Sequence, residues 1–408
     1  MRPIPPYSVW FLATALAKSG YNPTIVDERL CEGGEGFLQR IREAVSKQPL
    51  FIGFSCSMAP QLSLVESFLP FSNYFEYSGP WVLGGAFVSH LPPENIRDRL
   101  LGKAGFQILC HGHGFETILD ICEAIEGRRK PSNILGISYL TSKGDVVTTG
   151  PRGFPTCLPV PDYDLINVEK YVHDEDIYRG RPVRTFNLYT STGCMSGCEF
   201  CINSIERKWV GQSSEEVLCQ IEYLHSRFGV EYIRLIDDSP LQQPERILEL
   251  YRALDREGLN IKFYMDVTVP HILSSWFEEI ATRLIKVYVG VESGSERILK
   301  LIGKPQSISD IKRAVENLNR KGIAAKYSLM KNLPDEKEED RRATESLVEW
   351  IKANHSNCAI SLKDWLPVYG TPLYRRYHKQ MTETQRRILG SGETVESDAW
   401  TAPEYREM

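Results

Sequence analysis

The 408-residue chain is 42% hydrophobic and 25% charged, enough apolar material for a large core in two or three domains, which excludes a disordered chain. Its formal net charge of −5 gives no bulk electrostatic case for nucleic-acid binding. No basic-then-apolar start resembles a signal peptide, no apolar run reaches a membrane span, and the cysteines, scattered apart from one cluster, form no staple framework. The expected setting is a reduced cytoplasm without membrane attachment.

Residues 7–19 carry apolar side chains at helical spacing. NPTIVD (22–27), LFIGFS (50–55), PWVLGG (80–85) and FQILC (106–110) read as strands, separated by helical segments such as 37–46 and 118–126. The alternation predicts an open α/β sheet over residues 1–145. Gly84 and Gly85 follow one strand and HGHGFET (111–117) follows the next, where glycine lets a ligand approach the backbone. Neither turn has the G-x-G-x-x-G spacing of a dinucleotide site, which leaves a flat or phosphate-bearing ligand at the carboxyl edge as the broader expectation.

TTGPRGFPTCLPVPDYD (148–164) has four prolines and little periodicity, so 146–180 is expected to be a linker. From Thr185 the alternation resumes. TFNLYT, EYIRLID, IKFYMD, LIKVYVGVE, AAKYSLM and AISLKDW are candidate strands, with helices near 213–226, 244–257, 274–282, 307–320 and 336–354. Six strands with intervening helices over 181–375 predict a partial (β/α)6 barrel, since a complete eightfold barrel needs about 250 residues. Residues 376–408 read as a short polar carboxyl-terminal extension with isolated Trp400 and Tyr405.

GCMSGCEFC (193–201) places Cys194, Cys198 and Cys201 directly after the first barrel strand, at the end where ligands collect in such folds. A structural zinc wants four protein ligands, usually from two paired motifs, and no second pair is visible; Cys219 or His225 would have to be recruited. Thiolates also suit iron and sulfide, and three cysteines can hold three irons of a four-iron cluster. The fourth iron is then open to a chelating cosubstrate.

C-x-x-x-C-x-F-C, as Cys194, Cys198, Phe200 and Cys201, resembles the cluster motif of the radical S-adenosylmethionine (SAM) superfamily. The resemblance implies a [4Fe-4S] cluster whose unique iron is chelated by the amino and carboxylate groups of SAM, which one electron cleaves to a 5'-deoxyadenosyl radical. GVESGSERILKLIGK (290–304) resembles the stretch that contacts SAM, with Glu292 and Ser293 as its polar contacts; a helix-capping turn is the plainer reading of Glu292. DDSP (237–240) resembles the Asp-Asp version of the element after strand two, so that Asp237 or Asp238 holds the SAM ammonium or, more simply, begins a helix. LPDEKEED (333–340) and YGTPLY (369–374) resemble closing segments of the same group.

The amino-terminal region resembles the cobalamin-binding domain of class B radical SAM methyltransferases, through LATALAKSGYNPTIVD (12–27), FIGFSCS (51–57), VLGGAFVSHLPPE (82–94) and HGHGFET. The implied fold is a Rossmann-like cobalamin domain followed by the partial barrel, with the corrin brought over the barrel mouth. Implied cobalamin contacts are Ser55 and Ser57 in the loop reaching Met58, Gly84, Gly85 and Phe87 in the loop reaching Val88, and His111, Gly112 and Glu116. Two features depart from the family: the opening strand is almost absent, and Asp27, Arg29 and Glu32 stand where Asp-x-His-x-x-Gly would supply a lower axial histidine. Cobalamin without a histidine at cobalt is therefore expected.

The activity implied is methylation of an unactivated carbon by a cobalamin-dependent radical SAM C-methyltransferase. The implied partners are a one-electron reductant such as a flavodoxin or ferredoxin and a substrate that is a small molecule, a peptide or a protein such as methyl-coenzyme M reductase. Tyr264, Asp266 and Tyr327 are candidates for lining the substrate cavity, with barrel packing as the alternative. The other functions weighed are a radical SAM cyclase, oxidase or coupling enzyme, a methylthiotransferase, for which Cys31, Cys56 and Cys110 lack a convincing pattern, and a non-enzymatic metal-binding protein.

Overall fold

The computed structural model describes residues 3–57, 61, 62, 65, 77–91, 99–101, 105–178 and 180–380. Over these the chain divides into two compact units, Pro3–Lys170 and Tyr171–Gln380. Met58 and most of the expected extension, with Trp400 and Tyr405, lie outside the described residues. Among the described residues no helix is long and apolar enough to cross a membrane.

The first unit is the open α/β sheet expected. Strands β1 (Ile52–Ser55), β2 (Trp81–Gly84) and β3 (Ile108–Cys110) are parallel, and β4 (Ile137–Leu140) and β5 (Val146–Thr148) extend the sheet antiparallel, in the order β1-β2-β3-β4-β5. Its helices are α1 (Tyr7–Lys18), α2 (Gly33–Val45), the short α3 (Ala86–Ser89) and α4 (Thr117–Ile125). Leu83, Leu109, Phe106 and Cys56 are fully buried between sheet and helices, at about 1.5–3 kcal/mol for each large apolar side chain.

Two expectations fail here. Residues 22–27 form no strand: Pro23 has no N–H to donate, and Val26 packs on the core while only partly buried. β5 falls inside the expected linker, because Gly144 at φ +83° and the Thr141 N to Asp145 O bond (2.8 Å) close a tight hairpin. The proline-rich strap beyond it is tied to α1, where Trp10 Nε1 donates to Asp162 O (2.7 Å) and Asp162 N donates to Thr14 Oγ1 (2.9 Å).

The second unit is the partial barrel. Six parallel strands follow one another in sequence order: β7 (Arg181–Leu188), β10 (Tyr232–Leu235), β11 (Lys262–Thr268), β12 (Leu284–Glu292), β13 (Ala324–Lys331) and β14 (Cys358–Asp364). A seventh strand, β6 (His173–Tyr178), pairs antiparallel with β7 at the edge, in a run expected to be linker. The charge-rich sequence HDEDIY lacks the apolar alternation of a half-buried strand, but charge is common on edge strands. β8 (Ser191–Gly193) and β9 (Trp209–Gly211) form a separate small hairpin.

The helices are α5 (Ser214–Phe228), α6 (Pro244–Arg256), α7 (Val269–Ile272), α8 (Phe277–Ala281), α9 (Glu296–Leu301), α10 (Ile308–Arg320), α11 (Glu338–Asn354) and α12 (Pro372–Tyr377). The helix expected over 274–282 is thus one short helix, with a second just upstream, Val269–Ile272, that has Pro270 in its first turn.

Consecutive parallel strands joined by right-handed crossovers put their helices on one face, leaving the other face of the curled sheet bare. Phe186, Leu188, Ile233, Leu235, Phe263 and Met265 are fully buried toward the helices, and the Phe263 ring stacks on Tyr251 of α6 at 5.0 Å. Positions of opposite parity, including Arg234, Tyr264, Asp266, Lys286, Tyr288 and Lys326, line the bare face. Tyr327 has the helix-side parity, and its Oη meets His355 Nδ1 at 2.7 Å in a buried contact. Of its two expected roles, cavity lining and barrel packing, Tyr327 has the second.

Candidate active site

The site is assembled where β7, β10 and β12 end. The chain leaves β7 into β8, makes the cysteine loop and returns through β9. The stem of this loop is fixed by Asp237, which follows β10. Its buried carboxylate accepts from Thr190 N (2.6 Å), Thr190 Oγ1 (2.7 Å) and Ser191 Oγ (2.6 Å), and Arg246 Nη2 lies 3.5 Å away. Arg246, on α6, also donates to Thr190 Oγ1 (3.1 Å) and Gln212 O (3.2 Å), and its guanidinium lies over the Trp209 ring at 5.4 Å. Burial pushes the Asp237 carboxyl up and the Arg246 guanidinium down, each opposed by the other's charge. Asp237 therefore holds the loop.

Asp238 differs in exposure. It is exposed, accepts from Gly193 N at 2.7 Å, and lies close enough to Tyr189 and Cys201 to perturb both. Neither aspartate caps a helix: α6 begins at Pro244.

Cys194, Cys198 and Cys201 are half-buried and within electrostatic reach of one another. Burial pushes the Cys198 thiol up, with Lys304 opposing, and raises Cys201 to about 11. Among the described residues no three His, Cys, Asp or Glu, the three loop cysteines included, are gathered as a lone metal ion requires. The fourth ligands considered for zinc are placed elsewhere, since Cys219 is exposed on α5 and His225 Nδ1 meets Val230 O (2.8 Å) at that helix's end. The donor set fits a three-thiolate cluster.

Glu292 ends β12 at φ +70°, a left-handed conformation that costs a non-glycine residue about 1–2 kcal/mol, and the β12–β13 pairing shifts register there. Its carboxylate is held by Lys304 Nζ at 3.1 Å. Burial works against the Lys304 ammonium, but Glu292 and the neighbouring Cys198 and Cys201 outweigh it, and the pKa lies above the ordinary lysine value. The turn's helix cap is Ser295, whose Oγ accepts from Ile298 N, so Glu292 is not the cap. Ser293, expected at the site, is directed to the helix layer: its Oγ meets Thr344 Oγ1 (3.2 Å) and accepts from Ser295 N (3.1 Å). A side chain at Gly294 would collide with the backbone of α11 at Ala343 and Thr344, which explains the tight packing of this stretch.

Deeper on the bare face, the Tyr264 ring is flanked by Arg234 (4.8 Å) and Lys286 (5.3 Å), and Lys326 lies 5.9 Å from the Tyr288 ring. Asp266 is open to solvent along the concavity but walled by protein on its other sides. Desolvation pushes its carboxyl up to about 6, with Arg234 opposing and Asp237 and Asp238 adding.

In the first unit the expected cobalamin contacts gather at the carboxyl ends of β1, β2 and β3, most of them bonded to neighbouring residues outside the expected set. Ser55 Oγ donates to Ser8 Oγ (2.9 Å), Ser57 N to Gln61 Oε1 (2.6 Å), Phe87 N to Cys56 O (3.1 Å) and Gly112 N to Ser89 Oγ (2.9 Å). His111 Nε2 meets Ser138 Oγ at 2.8 Å, and Glu116 pairs with Arg152 at 2.8 Å. Gly84 lies against Cys110, and a side chain at Gly85 would overlap the Cys56 backbone, so both glycines serve contact between loops. At Gly112, φ +72°, the space a side chain would fill is empty, and a flat ligand can approach the backbone there. Arg29 folds back on Asp27 (2.9 and 2.8 Å) where a histidine-bearing motif would stand.

The profile of the Radical SAM superfamily matches residues 188–348, from the end of β7 into α11, including the three cysteines, Asp237, Asp238 and Glu292. This segment is a radical SAM domain. An uncharacterized methyltransferase of Pyrococcus horikoshii is 29% identical over 306 residues, 72% of this chain and 62% of the relative. An anaerobic magnesium-protoporphyrin IX monomethyl ester cyclase of Rubrivivax gelatinosus is 24% identical over 87% of this chain and 64% of its own length. The chain thus spans less than two thirds of these relatives. Its fold is similar to that of the cobalamin-dependent SAM radical enzyme OxsB, solved with aqua-cobalamin and SAM (TM-score 0.73, 19% identity, 93% of this chain and 59% of that one). It is similar also to that of the radical SAM methyltransferase TsrM from Kitasatospora setae (TM-score 0.70, 17% identity, 93% and 74%). The resemblance to class B radical SAM enzymes thus holds in fold beyond the radical SAM domain itself.

Lys304 and Arg246 were not singled out by the sequence. Lys304 closes the quoted stretch GVESGSERILKLIGK, whose glutamate it pairs with, so a signal was present. Arg246 carries none, because it reads as an ordinary polar position of an amphipathic helix.

Proposed function

We propose that the protein is a cobalamin-dependent radical SAM C-methyltransferase. The observation that carries this reading is the three-thiol loop flanked by charges of both signs, the exposed carboxylate of Asp238 on one side and the Glu292–Lys304 pair on the other. A zwitterionic cosubstrate has an ammonium for Asp238 and a carboxylate for Lys304. Bound there, a four-iron cluster and SAM supply homolytic cleavage of a sulfonium bond, and cobalamin at the edge of the first sheet supplies a methyl group. This chain's residues hold the loop (Asp237, Arg246), orient the cosubstrate (Asp238, Glu292, Lys304) and wall the reaction from water.

The lining of the bare face favours a substrate with an acidic group and a flat portion. Arg234, Lys286 and Lys326 supply cations, and Tyr264 and Tyr288 supply rings. That composition speaks for a small carboxylate or phosphate ester over a protein substrate such as methyl-coenzyme M reductase. The relatedness to a cyclase over 87% of the chain favours one second reading, a radical SAM cyclase or coupling enzyme. The methylthiotransferase reading loses support, because Cys56 and Cys110 are buried in separate apolar clusters.

The test is anaerobic reconstitution with iron, sulfide and cobalamin, then turnover with methyl-labelled SAM and a panel of anionic candidates. Label in a carbon–methyl product, together with S-adenosylhomocysteine and 5'-deoxyadenosine, is expected. Deoxyadenosine with an unlabelled cyclised or oxidised product would replace the first reading by the second.

A further inference from the structure

We propose that His271 is a further contact of the barrel-edge site, donating a hydrogen bond from Nε2 to the ribose diol of the SAM cosubstrate. This rests on reading the cysteine loop as the holder of a cluster that SAM approaches at the ends of the barrel strands.

The strand register places the residue. Thr268 ends β11 and stands opposite Gly290 of β12. Gly290 has no side chain, and the Glu292–Lys304 pair lies over its backbone: a Cβ there would fall 2.6 Å from Glu292 Oε1 and 2.8 Å from Lys304 Nζ. Gln306 Nε2 donates to Val291 O at 2.9 Å and fixes this strand end. On the neighbouring strand α7 starts at once, and its capping box folds His271 back over Thr268. His271 N donates to Thr268 Oγ1 and Thr268 N donates to His271 Nδ1, each at 3.4 Å. The half-buried imidazole therefore stands at the end of β11, next to the strand end that carries the ion pair, with the Trp276 ring 5.8 Å away.

The capping bond selects the tautomer. With Nδ1 accepting, a neutral ring carries its proton on Nε2, which has no hydrogen-bond partner among the described residues. Burial, aided by the Lys304 charge, pushes the His271 pKa down to about 4, so the ring is neutral near pH 7. A neutral donor is thus set beside the Glu292 carboxylate, an acceptor. Asp238 and Lys304 match the two charged groups of the cosubstrate, and the polar part that remains is the sugar. Each ribose hydroxyl both donates and accepts, so the diol can donate to Glu292 and accept from His271 Nε2. An ammonium, which only donates, finds no partner in this ring.

The test is calorimetric titration of the reconstituted holoenzyme with SAM and with its 2',3'-dideoxy analogue. Two variants remove the donor. His271→Asn keeps an acceptor for Thr268 N, so the cap and the fold survive; His271→Phe keeps a ring against Trp276 and gives up both nitrogens. Iron content and melting temperature check that cluster and fold are retained. The expected result is SAM bound about five- to tenfold more weakly by both variants. The dideoxy analogue should be bound alike by variants and wild type, within about twofold. Unchanged SAM affinity in a variant with full iron content, or the same loss with both ligands, would overturn the ribose contact. Failure of the wild-type holoenzyme to bind SAM would instead overturn the reading of the loop.

Discussion

The two sheet edges that carry the expected cofactor contacts are built differently. At the barrel edge the decisive groups are side chains, and several are held at a cost: Asp237 is buried with all its bonds inside the protein, Glu292 adopts a left-handed backbone, and Lys304 is drawn among thiols by one carboxylate. At the edge of β1–β3 the loops hold one another largely through backbone groups, and the open approach is at a glycine. The difference teaches that single substitutions at the barrel edge should act almost all-or-none. At the other edge a large ligand spreads its contacts over three loops, so effects should be graded.

Cys198→Ser is expected to have the largest effect. One thiolate of three is lost, iron content after reconstitution should fall sharply, and SAM cleavage should vanish. Iron analysis and deoxyadenosine assay check this, and full cluster occupancy in the variant would break the account of the barrel edge.

Asp237→Ala and Asp238→Ala separate holding from binding. Removing Asp237 leaves Arg246 buried without its carboxylate and two hydroxyls without an acceptor, at about 3–5 kcal/mol, and should lower both the melting temperature and cluster retention. Asp238→Ala should leave the melting temperature within about 1–2 °C of wild type and weaken SAM binding about tenfold or more, read by calorimetric titration. Equal effects of the two would erase the distinction.

His111→Ala probes the other edge. It removes the bond to Ser138, worth about 1 kcal/mol, and should leave cobalamin retained after gel filtration with no more than a severalfold loss of affinity. Complete loss of cobalamin would show that this edge, too, depends on a single side chain.

The smallest effect concerns Asp266. Its folded pKa, about 6, is raised above the ordinary aspartate value of 3.8, so the folded state prefers the protonated acid. The resulting penalty is absent below pH 3.8, grows as pH rises, and is complete above about 6. Asp266→Asn should therefore raise the melting temperature by about 1–2 °C at pH 7 and by less toward pH 4.

The cysteine loop was legible because its three cysteines lie within eight residues, and the six barrel strands because their apolar runs are regular. Asp237, Asp238 and Glu292 were legible as positions, but the aspartates' division of labour depends on Thr190, Ser191 and Arg246, distant in sequence and joined only by the fold. Tyr327 was left between cavity and packing although its parity with Ala325 and Leu329, readable in AAKYSLM, favours packing. β6 was hidden by charge and β5 by the composition of its surroundings, while residues 22–27 have the apolar content of a strand with a proline that denies one.

The central claim is that SAM chelates an iron held by Cys194, Cys198 and Cys201. Electron–nuclear double resonance of the reduced holoenzyme, with SAM labelled by 17O in its carboxylate and 15N in its amine, tests it directly. Hyperfine coupling from both labels is predicted. A cluster whose spectrum is unchanged by SAM, with no coupling from either label, would contradict it.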